Sequence, residues 1–249
     1  MGRLPQSVAK STTWPAGRKL TLKTFPLPAT QKAVLFVDFD NTISCGDVLD
    51  SVIETFSPTP QWQSWQLAWR ENRISTLECL QRQVGGLEVD EDTLLDFVQG
   101  ATIDPDFVRL QDWAADTGTE LIVVSDNFDV ILRAILTRQG IALPPIFANA
   151  LAFEGRRVIP SFPYRSPSCA RCAHCKAIHL ERYRGAQIVY IGDGLSDICP
   201  ALRADWVFAK DSLAGYLRAQ NKPFVPFANL GEVVQRLSTP APPYAGHSF

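Results

Sequence analysis

The chain has 249 residues, of which 46% are hydrophobic, and its formal net charge at pH 7 is −2. This length and composition suffice for a sizeable core, formed by one large domain or by a domain with an insertion. A net charge this small gives no indication of a nucleic-acid-binding or membrane-surface protein.

The N-terminal segment is basic. The first 37 residues carry only positive formal charge, so the rest of the chain is acidic. A basic start that contains Ser and Thr is compatible with a transit peptide. Four prolines would interrupt the helix of such a peptide, so we expect residues 1–30 to form a loosely ordered arm. The charges belong to Arg3, Lys10, Arg18, Lys19, Lys23 and Lys32.

The sequence also bears on compartment. No apolar stretch approaches the ~20 residues of a membrane-spanning helix, and no signal-peptide core is visible. Three of the six cysteines are bunched, which is a poor pattern for a disulfide framework in a chain of this length. We therefore expect a protein of the reducing cytoplasm with no membrane or nucleic-acid partner. The cysteines are Cys45, Cys79, Cys169, Cys172, Cys175 and Cys199.

Strand and helix signals alternate along most of the chain. Short runs that are apolar on both faces, with helices between them, predict an α/β fold: a Rossmann-like parallel sheet covered on both sides. Asp104 and Pro105 predict an N-cap and a first helical residue. The predicted strands are 33–38, 120–125, 145–149, 187–193 and 206–209, and the predicted helices are 104–117, 128–139, 177–184, 196–204 and 211–220.

The alternation breaks once, after the first strand. Residues 46–102 have helical patterns only, and "STLE" (75–78) is a capping box. Because ligands of open α/β sheets bind beyond the carboxyl ends of the strands, an insertion here would lie over the site as a lid. We expect a helical cap at 46–102, a core at 31–45 and 103–238, and a flexible Pro-rich tail at 239–249.

The end of the first strand carries two carboxylates, Asp38 and Asp40, within "FVDFDNT". Side chains two residues apart on a strand point to the same side, so these two groups would crowd together. Like charges that close raise one pKa unless a cation intervenes. The arrangement therefore calls for a functional reason.

Polar residues also end other strands. Ser125, Asp126 and Asn127 follow the second strand, and Asp193 and Asp197 follow the fourth. Since the carboxyl ends of parallel strands meet at one edge, distant segments converge on one crevice. Lys176, which begins the helix before the fourth strand, joins this set.

The order of these residues resembles the four motifs of the haloacid dehalogenase (HAD) superfamily of phosphatases. Asp38-x-Asp40-x-Thr42 is similar to the first motif, Ser125 to the second and Lys176 to the third. Gly192-Asp193-Gly194 with Asp197 is similar to the fourth. The resemblance extends over roughly residues 31–238, and the helical insertion occupies the position of the family's C1 cap.

The resemblance implies a role for each carboxylate. Asp38 would attack phosphorus to form an aspartyl-phosphate, and Asp40 would protonate the leaving oxygen and later activate water. Mg²⁺ would be held by the Asp38 carboxylate, the Asp40 carbonyl and the Asp193 carboxylate, with Asp197 supporting a metal-bound water. An acid at position 40 favours a phosphatase or phosphotransferase over a dehalogenase or a transport ATPase. The implied phosphate-binding residues are Thr42, Ser125, Asn127 and Lys176.

A narrower branch is indicated by "CKAIHL" and "YIGDGLSDICPALRADWVFAK". These stretches resemble the methionine-salvage 2-hydroxy-3-keto-5-methylthiopentenyl-1-phosphate phosphatases. Two positions depart from that branch: Asn41 replaces Gly, which positive φ at Asn permits, and Asp126-Asn127 replaces Gly-Gly. "SDN" is more similar to phosphoethanolamine/phosphocholine phosphatases. Asp126 would either place an anion near the phosphate anion or meet a cationic group of the substrate. A phosphoserine-type substrate is a further alternative.

The segment "SCARCAHCK" (168–176) contains Cys169, Cys172 and Cys175 at the C-x₂-C-x₂-C spacing of metal and iron–sulfur sites. A fourth ligand would be His174, His179 or a distant residue, and free thiols are the alternative. This segment leaves open a function of another class, a non-catalytic HAD-fold module for binding or redox chemistry.

The cap offers further candidates. Trp62, Trp65 and Trp69 share one helical face, which is typical of a cap core, although one of them would also serve to cover a substrate. The cap arginines are expected to be solvated, or one would bind a substrate carboxylate or second phosphate. The expected partner is a small phosphate ester, and the expected assembly is a monomer or a homodimer. The arginines are Arg70, Arg73 and Arg82.

Overall fold

A seven-stranded sheet forms the centre of the computed structural model, which describes residues 32–239. The strands lie in the order β4-β3-β2-β1-β5-β6-β7, and all neighbours are parallel except β4, which runs antiparallel to β3 at one edge. The predicted α/β fold is confirmed. The strands are β1 (Ala33–Val37), β2 (Glu120–Phe128), β3 (Ile146–Glu154), β4 (Arg157–Ser161), β5 (Gln187–Gly192), β6 (Trp206–Ala209) and β7 (Val225–Pro226).

The central strands are continuous apolar runs because both of their faces are covered. All residues of β1 and β5 are buried, as expected for the middle of a parallel sheet. Val37, the last residue of β1, lies beside Val123 of β2 and Ile191 of β5. This register brings the chain that leaves β1 next to the polar ends of β2 and β5.

Helices cover both faces of the sheet. A large apolar cluster on one face takes in α5, α6 and α10, and a smaller cluster on the other takes in α7, α8 and α9. The helices in chain order are α1 (Val48–Phe56), α2 (Trp62–Arg70), α3 (Thr76–Val84), α4 (Glu91–Val98), α5 (Phe107–Asp116), α6 (Asp129–Arg138), α7 (Ala177–Glu181), α8 (Ile198–Ala201), α9 (Asp211–Ala219) and α10 (Leu230–Ser238).

Helices α1 to α4 form the insertion between β1 and α5. Three of them begin at a side-chain cap, because Asp47, Ser75 and Asp90 accept hydrogen bonds from the N–H groups of the first turn. Ser75 is the N-cap that "STLE" predicts, but the Glu78 carboxylate binds Arg82 at 2.6 Å. Helix α4 packs against α6, and α3 packs against β4, so the cap contacts the core at the β4 edge.

The structure corrects one predicted helix start and adds elements that the sequence did not reveal. Helix α5 begins at Phe107, with Asp106 before it, so the predicted first helical residue, Pro105, was two residues too early. The Asp104 carboxylate still accepts a hydrogen bond from the N–H of Asp106, as an N-cap side chain does, and it accepts a second one from the N–H of Leu230, which ties α5 to the start of α10. Strands β4 and β7 and helix α10 were not predicted.

Some predictions lie outside the described residues: the basic arm at 1–30 and all of the Pro-rich tail beyond Thr239. Within residues 32–239, no helix combines the length and apolarity needed to cross a membrane.

Candidate active site

Asp38 leaves β1 as a buried carboxylate in the middle of the sheet edge. Its N–H donates to the Ile191 carbonyl at 2.9 Å, which continues the β1–β5 ladder by one residue. Its Oδ1 accepts a hydrogen bond from Lys176 Nζ at 2.6 Å. Burial, followed by the charges of Asp197 and Asp193, raises the pKa of Asp38 although Lys176 opposes them. A further cation near Asp38 would therefore stabilise its ionised form.

Lys176 is a buried cation held between two acidic side chains. Its Nζ lies 2.6 Å from Asp38 Oδ1 and 2.7 Å from Asp197 Oδ1, and only 1% of the side chain is exposed. Burial alone would lower the pKa of Lys176, but the carboxylates of Asp197, Asp38 and Asp126 raise it well above its usual value. The lysine remains charged and links the ends of β1 and β5 through its own loop.

Asp197 organises the loop that follows β5. Its Oδ1 accepts from Tyr190 Oη at 2.6 Å as well as from Lys176, and its Oδ2 accepts from the N–H groups of Asp193 and Gly194. A Cβ at position 192 would lie 2.6 Å from Asp197 Oδ2, so only glycine fits there. With both oxygens already bonded, Asp197 is suited to hold Asp193 in place rather than to bind a metal directly.

Asp38, Asp193 and Asp197 form an acidic cluster whose ligand oxygens all lie within 4.8 Å of one another. It is the one such group of three or more ligand residues in the part of the chain that the structure describes. The donors are hard carboxylate oxygens, which fit Mg²⁺. Burial and the Asp197 charge raise the pKa of Asp193 to about 6, so a divalent cation here would relieve repulsion.

The turn after β1 faces this cluster. Asn41 has φ 59° and donates to Asp193 Oδ2 at 3.3 Å, while Thr42 Oγ1 donates to Asp193 Oδ1 at 3.4 Å. Asparagine tolerates this left-handed backbone conformation, so the turn forms without glycine, as predicted. Thr42 is buried against Asp193, and its phosphate-binding role stays a prediction.

Asp40 faces away from the lysine, toward the cap. Its carboxylate accepts from the Val48 N–H at 2.9 Å and from Asn127 Nδ2 at 3.1 and 3.0 Å. Burial and the charge of Asp47 raise the pKa of Asp40 to about 8, although the Asn127 and Val48 hydrogen bonds oppose this. Burial therefore favours the protonated form of Asp40 over a wider pH range than for a free aspartate.

The end of β2 supplies a second layer of side chains. Ser125 is buried, and its Oγ accepts from the Asn127 N–H at 3.0 Å. Asn127 was assigned to phosphate, but its amide nitrogen binds Asp40 and its Oδ1 accepts from the Phe128 N–H at 2.7 Å. These contacts favour a role in orienting Asp40. Asp126 accepts a hydrogen bond from the His174 N–H at 3.1 Å, and its predicted contact with a substrate cation stays a prediction.

Sequence reasoning missed three participants. Asp47 raises the pKa of Asp40, Tyr190 binds Asp197, and Ser196 Oγ lies 3.3 Å from Lys176 Nζ. Only Asp47 had a readable signal, since an Asp just before an apolar helical run is a typical N-cap. The other two depend on which way a side chain points at the end of a strand or in a turn.

The remaining candidates lie apart from the acidic cluster. His174 and His179 face each other, with Nε2 atoms 2.7 Å apart. Trp62 packs against the large apolar cluster, and Trp69 donates to Thr76 Oγ1 at 3.0 Å, which favours a cap-core role. Two cap arginines form exposed ion pairs within the cap, Arg73 with Glu71 and Arg82 with Glu78.

Several known proteins are similar to this chain in sequence. Residues 33–214 match the family described as Putative Phosphatase. A 2-hydroxy-3-keto-5-methylthiopentenyl-1-phosphate phosphatase of Brevibacillus brevis is 31% identical over 218 residues, which are 84% of this chain and 96% of that protein. The match thus extends over nearly the whole length of the relative.

Solved structures share the fold at lower identity. A phosphoserine phosphatase from T. onnurineus superposes with a TM-score of 0.65 at 18% identity, over 87% of this chain and 99% of that one. A phosphoserine phosphatase solved as a phospho-aspartyl intermediate analogue gives a TM-score of 0.63 at 16% identity, over 82% and 98% of the two chains. At these identities the likeness establishes the fold alone.

Proposed function

The chain belongs to the Putative Phosphatase family of the haloacid dehalogenase superfamily, and on that premise we propose that it is a Mg²⁺-dependent phosphomonoesterase with Asp38 as its nucleophile. One observation carries the proposal. Lys176 Nζ lies 2.6 Å from the buried Asp38 carboxylate, and a ligand oxygen of Asp38 lies within 4.8 Å of one of Asp193. The non-catalytic alternative loses its support, because the named relatives are phosphatases.

In the first half-reaction, a carboxylate oxygen of Asp38 attacks phosphorus and the bond from phosphorus to the ester oxygen breaks. Lys176 and the hydroxyl of Ser125 are the groups proposed to bind the phosphoryl oxygens. When bound by Asp38, the Asp40 carbonyl and Asp193, Mg²⁺ supplies positive charge that offsets the charge developing on those oxygens. Asp197 holds Asp193 in position, because Asp197 Oδ2 accepts a hydrogen bond from the N–H of Asp193.

Asp40 is proposed to transfer the proton in both half-reactions. Its raised pKa leaves it protonated at neutral pH, so it gives a proton to the departing alkoxide. The resulting carboxylate then takes a proton from water as that water attacks the aspartyl-phosphate, which releases inorganic phosphate and restores Asp38. Asn127 orients Asp40 through its amide and is assigned a positioning role.

The proposed substrate is 2-hydroxy-3-keto-5-methylthiopentenyl 1-phosphate. Relatives whose sequences align with more than 80% of this chain are named as phosphatases of that compound. The alternatives are phosphoethanolamine or phosphocholine, and phosphoserine. Asp126, the residue that suggested a cationic substrate, accepts a backbone hydrogen bond from His174 on one carboxylate oxygen.

A phosphoester panel tests this assignment. We expect phosphate release to be fastest, by kcat/KM, with the methylthiopentenyl substrate, to disappear in EDTA and to return with Mg²⁺. Phosphoserine, phosphoethanolamine and phosphocholine serve as matched monoesters. Preference for one of these would reassign the substrate while leaving the reaction class intact. Turnover that persists in EDTA would contradict the metal requirement.

A pH profile tests Asp40 as the general acid. With an alkyl phosphate, whose leaving group needs a proton, kcat/KM should fall as the pH rises through about 8, the pKa of Asp40. The Asp47 charge raises this pKa and the Asn127 hydrogen bond lowers it. Asp47→Asn should therefore move the alkaline limb to lower pH, and Asn127→Ala should move it to higher pH.

The control for this experiment is p-nitrophenyl phosphate, whose leaving group departs without protonation. Asp40→Asn should reduce kcat/KM for the alkyl ester by about 10²- to 10⁴-fold and much less for the aryl ester. If the alkaline limb of the kcat/KM profile shifted in the same direction in Asp47→Asn and Asn127→Ala, the titrating group would not be Asp40.

A further inference from the structure

Asp197 holds the loop that contains Asp193, and its carboxylate is fully occupied by hydrogen bonds. Oδ1 accepts from Tyr190 Oη at 2.6 Å and from Lys176 Nζ at 2.7 Å. Oδ2 accepts from the N–H groups of Asp193 at 3.1 Å and Gly194 at 3.0 Å. Because an ionised carboxylate has about four lone-pair positions, these donors satisfy Asp197 completely.

Two of these donors are side chains, and they differ in how many acceptors they serve. The ammonium group of Lys176 donates to Asp38 at 2.6 Å and to Ser196 at 3.3 Å in addition to its bond with the Asp197 carboxylate. In the proposed reaction it also binds phosphoryl oxygens. A phenol has a single proton, so Tyr190 gives its proton to Asp197 without sharing it. Tyr190 is therefore the side chain that can hold Asp197 in place while Lys176 takes part in the reaction.

The position of Tyr190 is fixed by the sheet. The residue lies in β5, paired with Phe36 of β1 and Val207 of β6, and none of it is exposed. Its side chain belongs to the smaller apolar cluster. A Cβ at position 192 would lie 3.0 Å from Tyr190 Cε1 and 2.6 Å from Asp197 Oδ2, so the glycine there leaves room for the two side chains to meet. A group on a packed central strand positions its hydrogen-bond partner more precisely than a group on a loop.

Solvent would not compensate for the loss of this hydroxyl, because Asp197 has no exposed surface either. Oδ1 would keep its bond to Lys176, and a buried acceptor that loses a donor is destabilised. The carboxylate would then be free to turn toward Lys176, which would weaken its bond to the N–H of Asp193. Since Asp193 is a proposed ligand of Mg²⁺, the tyrosine hydroxyl would act on the metal site through Asp197. Groups that orient metal ligands from outside typically change metal affinity by about 10- to 100-fold.

We propose that Tyr190 is a positioning residue for the metal site: its hydroxyl holds Asp197 in one orientation, and Asp197 holds the loop that presents Asp193 to Mg²⁺. This inference rests on the proposed function, in which Mg²⁺ is the ion bound by Asp38 and Asp193. Tyr190 touches neither the substrate nor the reacting atoms in this scheme. Its hydroxyl sets the affinity for Mg²⁺ rather than the rate of the chemical step.

Tyr190→Phe tests this role in the full-length protein, because it keeps the ring and removes only the hydroxyl oxygen. The Mg²⁺ dependence of the midpoint of thermal unfolding measures binding in the absence of substrate. We expect the Kd for Mg²⁺ to rise by about 10- to 100-fold. With p-nitrophenyl phosphate, the Mg²⁺ concentration that gives half of the maximal rate should rise by a similar factor, while kcat at saturating Mg²⁺ stays close to the wild-type value.

Tyr183→Phe is the matched control, since it removes a hydrogen bond of 2.8 Å from Tyr183 Oη to the Glu120 carboxylate at the start of β2. Its affinity for Mg²⁺ should equal that of wild type. If Tyr190→Phe lowered the unfolding midpoint or kcat but bound Mg²⁺ as tightly as wild type, the hydroxyl would serve stability alone and the inference would be wrong. The proposed function would stand in that case, because the wild-type protein would still show Mg²⁺-dependent turnover. Wild-type protein with neither Mg²⁺ binding nor turnover would overturn both.

Discussion

Replacement of Asp38 by Asn is expected to lower kcat/KM for every phosphate ester by roughly 10⁴-fold or more, because it removes the atom that bonds to phosphorus. The amide has nearly the shape of the carboxylate and can still accept the Lys176 hydrogen bond. It also removes one buried negative charge from a site in which burial and two neighbouring aspartates disfavour that charge. The variant is therefore expected to fold.

Steady-state phosphate release, together with circular dichroism and thermal unfolding, measures the effect. Asp129→Asn is the matched control: the same change at the start of α6, where the carboxylate forms an exposed ion pair with Arg133. Its activity should stay within a factor of two or so of wild type, since exposed ion pairs contribute little. If Asp38→Asn retained more than a few per cent of the activity, Asp38 would not be the nucleophile.

The sequence correctly predicts the positions of those site residues that directly follow a strand of the sheet. Asp38 follows a fully buried strand, and the register of β1 with β5 brings it to the loop of Asp193 and Asp197. Parallel topology and apolar runs suffice to derive this convergence. The metal-ligand and catalytic roles of these residues remain proposals, which the experiments above address.

The parts that the sequence does not reveal depend on side-chain direction and on contacts between distant segments. Asn127 was predicted to bind phosphate, and nothing in the sequence indicated that its amide donates to Asp40 across the crevice. Strand β4 was missed because it is short and partly exposed and pairs with β3 at the sheet edge, where Arg157 also forms a bridge with Glu88 of the cap.

Lys176→Met should destabilise the protein as well as inactivate it. The substitution preserves much of the apolar stem but removes the buried charge that lies 2.6 Å from Asp38 and 2.7 Å from Asp197. Removal of one partner from a buried ion pair costs about 3 to 5 kcal/mol, because the other charge stays buried without compensation. We expect a decrease of this size in the free energy of unfolding, measured with denaturant in EDTA at pH 8.

The pH dependence of this loss identifies its cause. In wild type the pKa of Asp38 is raised by burial, and Lys176 lowers it in part, so loss of the lysine raises it further. A carboxyl group with a raised pKa in the folded state contributes stability at low pH and loses it as the pH rises through that pKa. The deficit of Lys176→Met should therefore be larger at pH 8 than at pH 5.5, and Mg²⁺ should recover part of it by supplying another cation. Lys222→Met, the same change at an exposed lysine, should show neither effect. A deficit that is equal at both pH values and insensitive to Mg²⁺ would mean that Lys176 acts through packing, and the electrostatic account of the site would fail.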